Sequence, residues 1–312
     1  METIGVDIGG TKIAAGIVDD EGTLLAQTRR ETNPDDPAAI ENAVIAAVAE
    51  LTAHARVGGV GVAAAGFISP RRDGVVFAPN IAWRDYPLRE RLARAIDLPI
   101  VIENDANAAG WAEFRFGAAR DAHSMVMLTV GTGLGGAIVI DDLLVRGAFG
   151  AAGEIGHMRV VPDGHYCGCG HEGCWEMYAS GRALTRAARM ALVTDGDRAE
   201  RLRALAAASG TKVRGQHVTA AAQEGDELAL ELVADLGRWI GAGIADLAAV
   251  LDPEIVVIGG GVADAGEMLL EPARRAFLAQ LSARGFRPEA QIEIARLGNE
   301  AGIVGAADLA RH

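Results

Sequence analysis

The three cysteines of the chain stand together in Cys167-Gly-Cys169-Gly-His-Glu-Gly-Cys174. Thiolates at this spacing can converge on one soft cation, and a tetrahedral zinc site then needs one more nitrogen or sulfur. His157, His165 and His171 are near enough along the chain to supply it. The competing expectations are a reduced loop with no task and a disulfide. A disulfide would strand an odd thiol, and the N-terminus carries no secretory pattern, so a metal is expected.

Glycine-rich turns are the second chemical signal. The apolar run Thr3 to Ile8 leads into Gly9-Gly10-Thr11-Lys12, and a second run, Ile13 to Val18, closes at Asp19-Asp20-Glu21-Gly22. This reads as a hairpin with a glycine tip, where exposed backbone N–H groups suit a phosphate and Asp7 at the strand end can hold magnesium through water. The P-loop spacing is absent. Lys12 and Lys212 are the only lysines, the remaining cations being arginines. Strand Ser124 to Val130, the turn Gly131-Thr132-Gly133-Leu134-Gly135-Gly136 and strand Ala137 to Ile140 repeat the theme. Gly131, Gly133 and Gly136 formally spell a dinucleotide fingerprint, but that fingerprint must open a helix and here a strand follows. A third run, Gly259-Gly260-Gly261, follows a buried-strand pattern at Ile255 to Ile258 and precedes a helix. Three such turns can surround one nucleotide.

The elements that must carry these groups are legible as patterns. Pro37 to Leu51 is an alanine-rich helix, and Asp226 to Leu251 places Leu228, Leu232, Leu236, Ile240, Ile244, Leu247 and Leu251 on one face before Pro253. Arg182 to Ser209 alternates Ala with Arg and reads as one solvated helical face, and Asn299 to Leu309 as a closing helix that returns to the first domain. At 312 residues, 50% of them hydrophobic, the chain can build two cores, filled by aliphatic side chains since aromatics are 4%. A net charge of −13 argues against nucleic acid or anionic membrane as partner, because phosphate surfaces demand clustered cations. No apolar run is long enough to span a bilayer, so a cytoplasmic protein is expected. Two glycine hairpins used alike suggest a duplicated α/β domain with a cleft between the halves.

Asp7-Ile8-Gly9-Gly10-Thr11-Lys12, the run Glu103-Asn104-Asp105-Ala106-Asn107-Ala108-Ala109-Gly110, the Gly131–Gly136 turn and the block from His157 through Cys174 together resemble the ROK family of sugar kinases and repressors. The resemblance covers nearly the whole chain, and the cysteine block is its most specific part. It implies the α/β two-domain fold of actin, hexokinase and Hsp70, built from duplicated ribonuclease H-like domains with a cleft between them. A small domain over residues 1–118, rejoined by a helix over about 299–312, and a large domain over 119–298 carrying the zinc loop are expected. Repressor members carry a DNA-binding domain ahead of the first hairpin, which here starts at residue three.

By the same resemblance, the activity is ATP-dependent phosphorylation of glucose at its 6-hydroxyl. Asp105, after the strand Ile100 to Glu103, matches the family's catalytic base; the plain alternative is an aspartate capping the helix that begins near Ala106. Gly66, Asn80, Asn104, Asp105, Glu154, His157 and Glu176 match the sugar-contacting positions. For the nucleotide, Gly9, Gly10, Thr11 and Lys12 meet the β- and γ-phosphates from one side and Thr132 and Gly133 from the other. The Gly259 run supplies Gly260 and Gly261 against the adenosine. Magnesium accompanies ATP near Asp7. Structural zinc is held by His157, Cys167, Cys169 and Cys174, with His157 turning its other nitrogen to the sugar. Homodimers or homotetramers are usual in the family. Another hexose (N-acetylmannosamine, N-acetylglucosamine or fructose), a polyphosphate donor, or a sugar-sensing regulator without turnover are the alternatives.

Overall fold

The computed structural model describes every residue except Thr11 and His54. It resolves into two compact units. One comprises Met1–His123, Ala137–Gly153 and Arg296–His312; the other comprises Ser124–Gly136 and Glu154–Ala295.

The first unit opens with β1 (Thr3–Ile8), β2 (Lys12–Val18), β3 (Leu24–Glu31) and α1 (Pro37–Thr52), then β4 (Val60–Ala64), β5 (Phe67–Ile68), β6 (Val75–Phe77), β7 (Arg84–Tyr86) and α2 (Leu88–Leu92), then β8 (Ile100–Asn104) and α3 (Asp105–Phe116). Its main sheet has the order β3-β2-β1-β4-β8. The first three strands are antiparallel neighbours, while β1, β4 and β8 run parallel. Side chains alternate across such a sheet, and β1 uses both faces. Ile4, Val6 and Ile8 join α1 residues Ile40, Val44, Ala47 and Val48 in one core. On the other face glycines let a helix backbone sit directly on the strands. A Cβ at Gly5 would fall 1.8 Å from the Ile303 carbonyl oxygen, and one at Gly61 1.7 Å from that of Ala306. A small sheet, β5-β6-β7, buries Trp83 completely.

The chain continues with β9 (Met125–Val130), β10 (Leu134–Ile140) and β11 (Leu143–Leu144), then α4 (Gly181–Thr194), α5 (Glu200–Ala208), α6 (Gly215–Gln223) and α7 (Glu227–Leu251). It closes with β12 (Ile255–Gly259), α8 (Glu267–Gln280), β13 (Gln291–Ile294) and α9 (Ala301–Leu309). The second sheet has the order β11-β10-β9-β12-β13, the same scheme as the first, with β9, β12 and β13 parallel. Within the second unit α7 and α8 pack along each other, and Gly237 and Gly241 bring α7 close to the α8 backbone. Helix α9 lies in the first unit against β1, β4 and α3.

Most elements follow their patterns, with one clear departure. The stretch Arg182 to Ser209 is two helices parted by a 3-10 turn over Gly196–Ala199, with Gly196 at φ 52°. Nor is its face wholly solvated, since Ala183, Leu184, Ala188 and Ala191 are buried. Ser180 caps α4, accepting a hydrogen bond from the Ala183 N–H. Among the described residues no helix is long and apolar enough to cross a membrane.

Candidate active site

Parallel strands β1, β4 and β8 end along one edge, with Asp7 opposite Ala63 and Ala64 opposite Asn104. Helix α3 begins immediately, at Asp105, and its cap is Asn104. The Asn104 Oδ1 accepts from the Asn107 N–H at 3.0 Å, so Asp105 is not spent on capping, contrary to the plain reading of that residue. The Asn104 amide donates to the Gly66 carbonyl at 3.0 Å and to Asp105 Oδ1 at 3.1 Å. Gly66 reaches that bond at φ 142°, where a Cβ would fall 2.4 Å from the Phe77 carbonyl oxygen.

Burial pushes the Asp105 carboxyl up, partly offset by its own N–H and that of Ala106. Asp7 is pushed up from 3.8 to about 6, first by burial and then by the negative charge of Asp105. Two carboxylates in one half-buried place repel, and such an arrangement attracts a cation or a proton. On α9, a Cβ at Gly302 would sit 2.9 Å from Asp7 Oδ2.

Beneath this edge lies a residue that the sequence reading did not single out. Glu103, 2% exposed, accepts hydrogen bonds through Oε1 from the Asn104 N–H and from the Asn107 amide, both at 3.1 Å. Its Oε2 takes 2.7 Å from Arg146 Nε, and Arg72 Nε stands at 3.5 Å. The available signal was a charged residue inside an otherwise apolar strand pattern, next to two asparagines.

In the second unit the ligand atoms of His157, Cys167, Cys169 and Cys174 all lie within 4.8 Å of one another. Cys167 Sγ is 3.7 Å from His157 Nδ1, and Cys169 Sγ is 3.5 Å from Cys174 Sγ. Tetrahedral zinc with sulfur ligands spaces them by about 3.8 Å, so the donor set and its spacing fit that ion. Burial pushes the Cys167 and Cys174 thiols up, which a bound dication would reverse. His165 instead packs its ring against Tyr178, and His171 approaches Cys169 alone, at 3.7 Å. His157 faces Glu154 Oε2 with its Nε2, 3.9 Å away. Glu176 accepts from Cys167 Sγ at 3.1 Å, and its Oε2 is the group a Cβ on Gly133 would meet at 2.7 Å. The loop is anchored on α7: Trp175 Nε1 donates to the Trp239 carbonyl at 2.9 Å, and the Tyr178 ring packs against Trp239 at a tilt of 36°.

The glycine turns fall in place within each unit. Gly9 donates its N–H to the Lys12 carbonyl at 2.9 Å, Gly10 has open space around it, and Lys12 is exposed; Thr11 lies outside the described residues. In the second unit the carbonyls of Gly131 and Thr132 accept from the first two N–H groups of α4. Gly260, at φ 86°, packs on the backbone of Val130, the last residue of β9 before the Gly131 turn, and Gly259 closes β12 opposite Thr129. Asn80 is exposed on the loop between β6 and β7. No described hydrogen bond joins its side chain to Asn104 or Asp105.

Two sheets of one strand order, glycine turns at strand ends and an aspartate opening a helix place the chain in the actin- and hexokinase-like ATPase fold. It belongs to the ROK family, whose model matches residues 3–312. A glucokinase of Streptomyces coelicolor is 48% identical over 309 residues, 99% of this chain and 97% of its own length. Among solved structures, a ROK family glucokinase from Streptomyces griseus in complex with glucose and AMPPNP is 50% identical, with a TM-score of 0.89, covering 100% of this chain and 99% of its own. A ROK hexokinase from Thermus thermophilus is 37% identical with a TM-score of 0.79, over 100% and 98% of the two chains.

Proposed function

We propose that the chain transfers the γ-phosphoryl group of ATP to the 6-hydroxyl of glucose, with Asp105 as the general base. The observation that carries this reading is the carboxylate at the junction of β8 and α3, released from capping and tied to Asn104. Phosphoryl transfer to an alcohol asks the protein to align the oxygen with the phosphate and to take up its proton. Asp105 accepts that proton. Asn104 orients the acceptor carboxylate, and Gly66, Asn80, Glu154, His157 and Glu176 bind the remaining hydroxyls. A hydroxyl needs partners that both donate and accept, which amides, imidazole and carboxylates provide.

Gly9, Gly10, Thr11, Lys12, Thr132 and Gly133 hold the phosphates, and Gly259, Gly260 and Gly261 the adenosine. Asp7 would hold the magnesium that accompanies ATP, and the ion would neutralise phosphate charge there. His157, Cys167, Cys169 and Cys174 hold zinc, which when bound fixes the imidazole so that Nε2 faces the sugar. The working enzyme is a cytoplasmic homodimer or homotetramer.

A coupled assay with Mg·ATP over glucose, N-acetylmannosamine, N-acetylglucosamine and fructose tests the reading. Glucose is expected to give the highest kcat/KM. Asp105→Asn should lower kcat by about 10²–10⁴-fold with KM nearly unchanged. Intact turnover in that variant would remove Asp105 as the base, and a faster hexose would replace glucose.

A further inference from the structure

We propose that Arg146 is a positioning residue for phosphoryl transfer: acting through Glu103, it holds Asn104 and Asp105 in the geometry that receives the sugar hydroxyl. The inference rests on the reading of Asp105 as the base.

The bonds form one unbroken path. Arg146 Nε donates to Glu103 Oε2 at 2.7 Å. Glu103 Oε1 takes the Asn104 N–H and the Asn107 amide. The Asn107 N–H donates to Asn104 Oδ1, and the Asn104 amide donates to Asp105 Oδ1. Glu103 thus holds both the backbone N–H of Asn104 and the side chain of Asn107, whose own N–H is bonded to Asn104. Among the described residues Asn107 Oδ1 is buried without a partner, so its amide is directed from the Glu103 side.

Glu103 can do this only while its side chain is held in place. A buried carboxylate needs a charged partner at hydrogen-bond distance, since an unpaired one protonates or moves. Arg72 does not meet that need. At 3.5 Å its Nε contributes charge but no hydrogen bond. Arg146 is the partner that fixes Oε2, and its own backbone is held: its carbonyl accepts from the Ala152 N–H at 3.1 Å. That bond fixes the main chain from which the arginine reaches the end of β8. A shift of about 1 Å in a reacting group can cost on the order of 10²-fold in rate, which is the scale at stake.

The test compares wild type with Arg146→Met, Arg146→Lys, Glu103→Gln and the double variant Glu103→Gln/Arg146→Met, at a temperature well below the lowest Tm. Arg146→Met is expected to lose about 10–100-fold in kcat with glucose, with KM for ATP unchanged within about twofold. Arg146→Lys should recover most of the rate. The double variant should lose much less than the product of the single losses, since both act through one contact. A folded Arg146→Met with kcat within about twofold of wild type overturns the proposal. So does a loss that multiplies with that of Glu103→Gln. If Arg146→Met fails to fold, the lysine and glutamine variants decide alone. Failure of the underlying reading is seen separately, as wild type without sugar kinase activity or Asp105→Asn with full activity.

Discussion

Asp7 shows how a site residue trades stability for charge. Its folded value near 6 lies above its ordinary 3.8, so between those values the folded chain binds more protons than the unfolded one. The sign follows: this group's penalty is absent at low pH, grows as pH rises from about 4 to 6, and is complete above. Asp7→Asn should therefore be more stable than wild type by roughly 1–3 kcal/mol at pH 7.5 and by much less near pH 4. Urea unfolding at the two pH values checks it. Kinase activity with Mg·ATP should fall in the same variant. Residue chemistry was only partly legible in the sequence. The cysteine cluster was plain because three soft ligands stand close together in one short stretch of chain. The alternative of Asp105 as a mere cap could be set aside only by geometry, since Asn and Asp are nearly equal as caps and the structure gives that place to Asn104. Glu103 was passed over because its meaning lies in Arg146, distant in sequence and brought close only by folding.

At the scale of elements, strands were read well where apolar runs ended in glycine or acidic turns. The run Thr3 to Ile8 is β1 as it stands, and Asp226 to Leu251 is α7 with Asp226 as its cap. The Arg182 to Ser209 stretch failed because alanine and arginine favour helix so strongly that Asp195-Gly196 was outvoted. The opposite surprise is how much α9 relies on absent side chains. A Cβ at Gly305 would fall 1.7 Å from the Ala108 carbonyl oxygen of α3. Gly305→Ala should raise intrinsic helix propensity yet destabilise the first unit by about 2–4 kcal/mol, seen as a lower Tm. The cysteine loop makes the converse prediction. Cys169 is the exposed sulfur of the set, so Cys169→Ala should fold. It is expected to purify with less than one zinc per chain and to show a KM for glucose raised about 10–100-fold, with KM for ATP little changed. Metal analysis showing full zinc and normal sugar affinity would refute the architectural role.

For the whole molecule, class and architecture were legible because two similar glycine hairpins announce a repeated sheet, and the two strand orders repeat accordingly. Where the units divide was harder to see, because the first is stitched from three stretches of chain. Its last stretch is fastened to its first. Arg311 donates to the backbone carbonyls of Met1, Val18 and Asp19 and pairs with buried Asp308, which also takes the Trp111 indole N–H at 2.8 Å.

That fastening sets an order of events during synthesis. The opening strands leave the ribosome early, yet the helix that covers their glycine face is translated some three hundred codons later. Until then one side of the nascent sheet stays bare, with unsheltered backbone and a row of small residues inviting the wrong neighbour. Chains stalled before residue 296 should remain open to protease across residues 1–123, while release of the last segment should bring resistance in a single step.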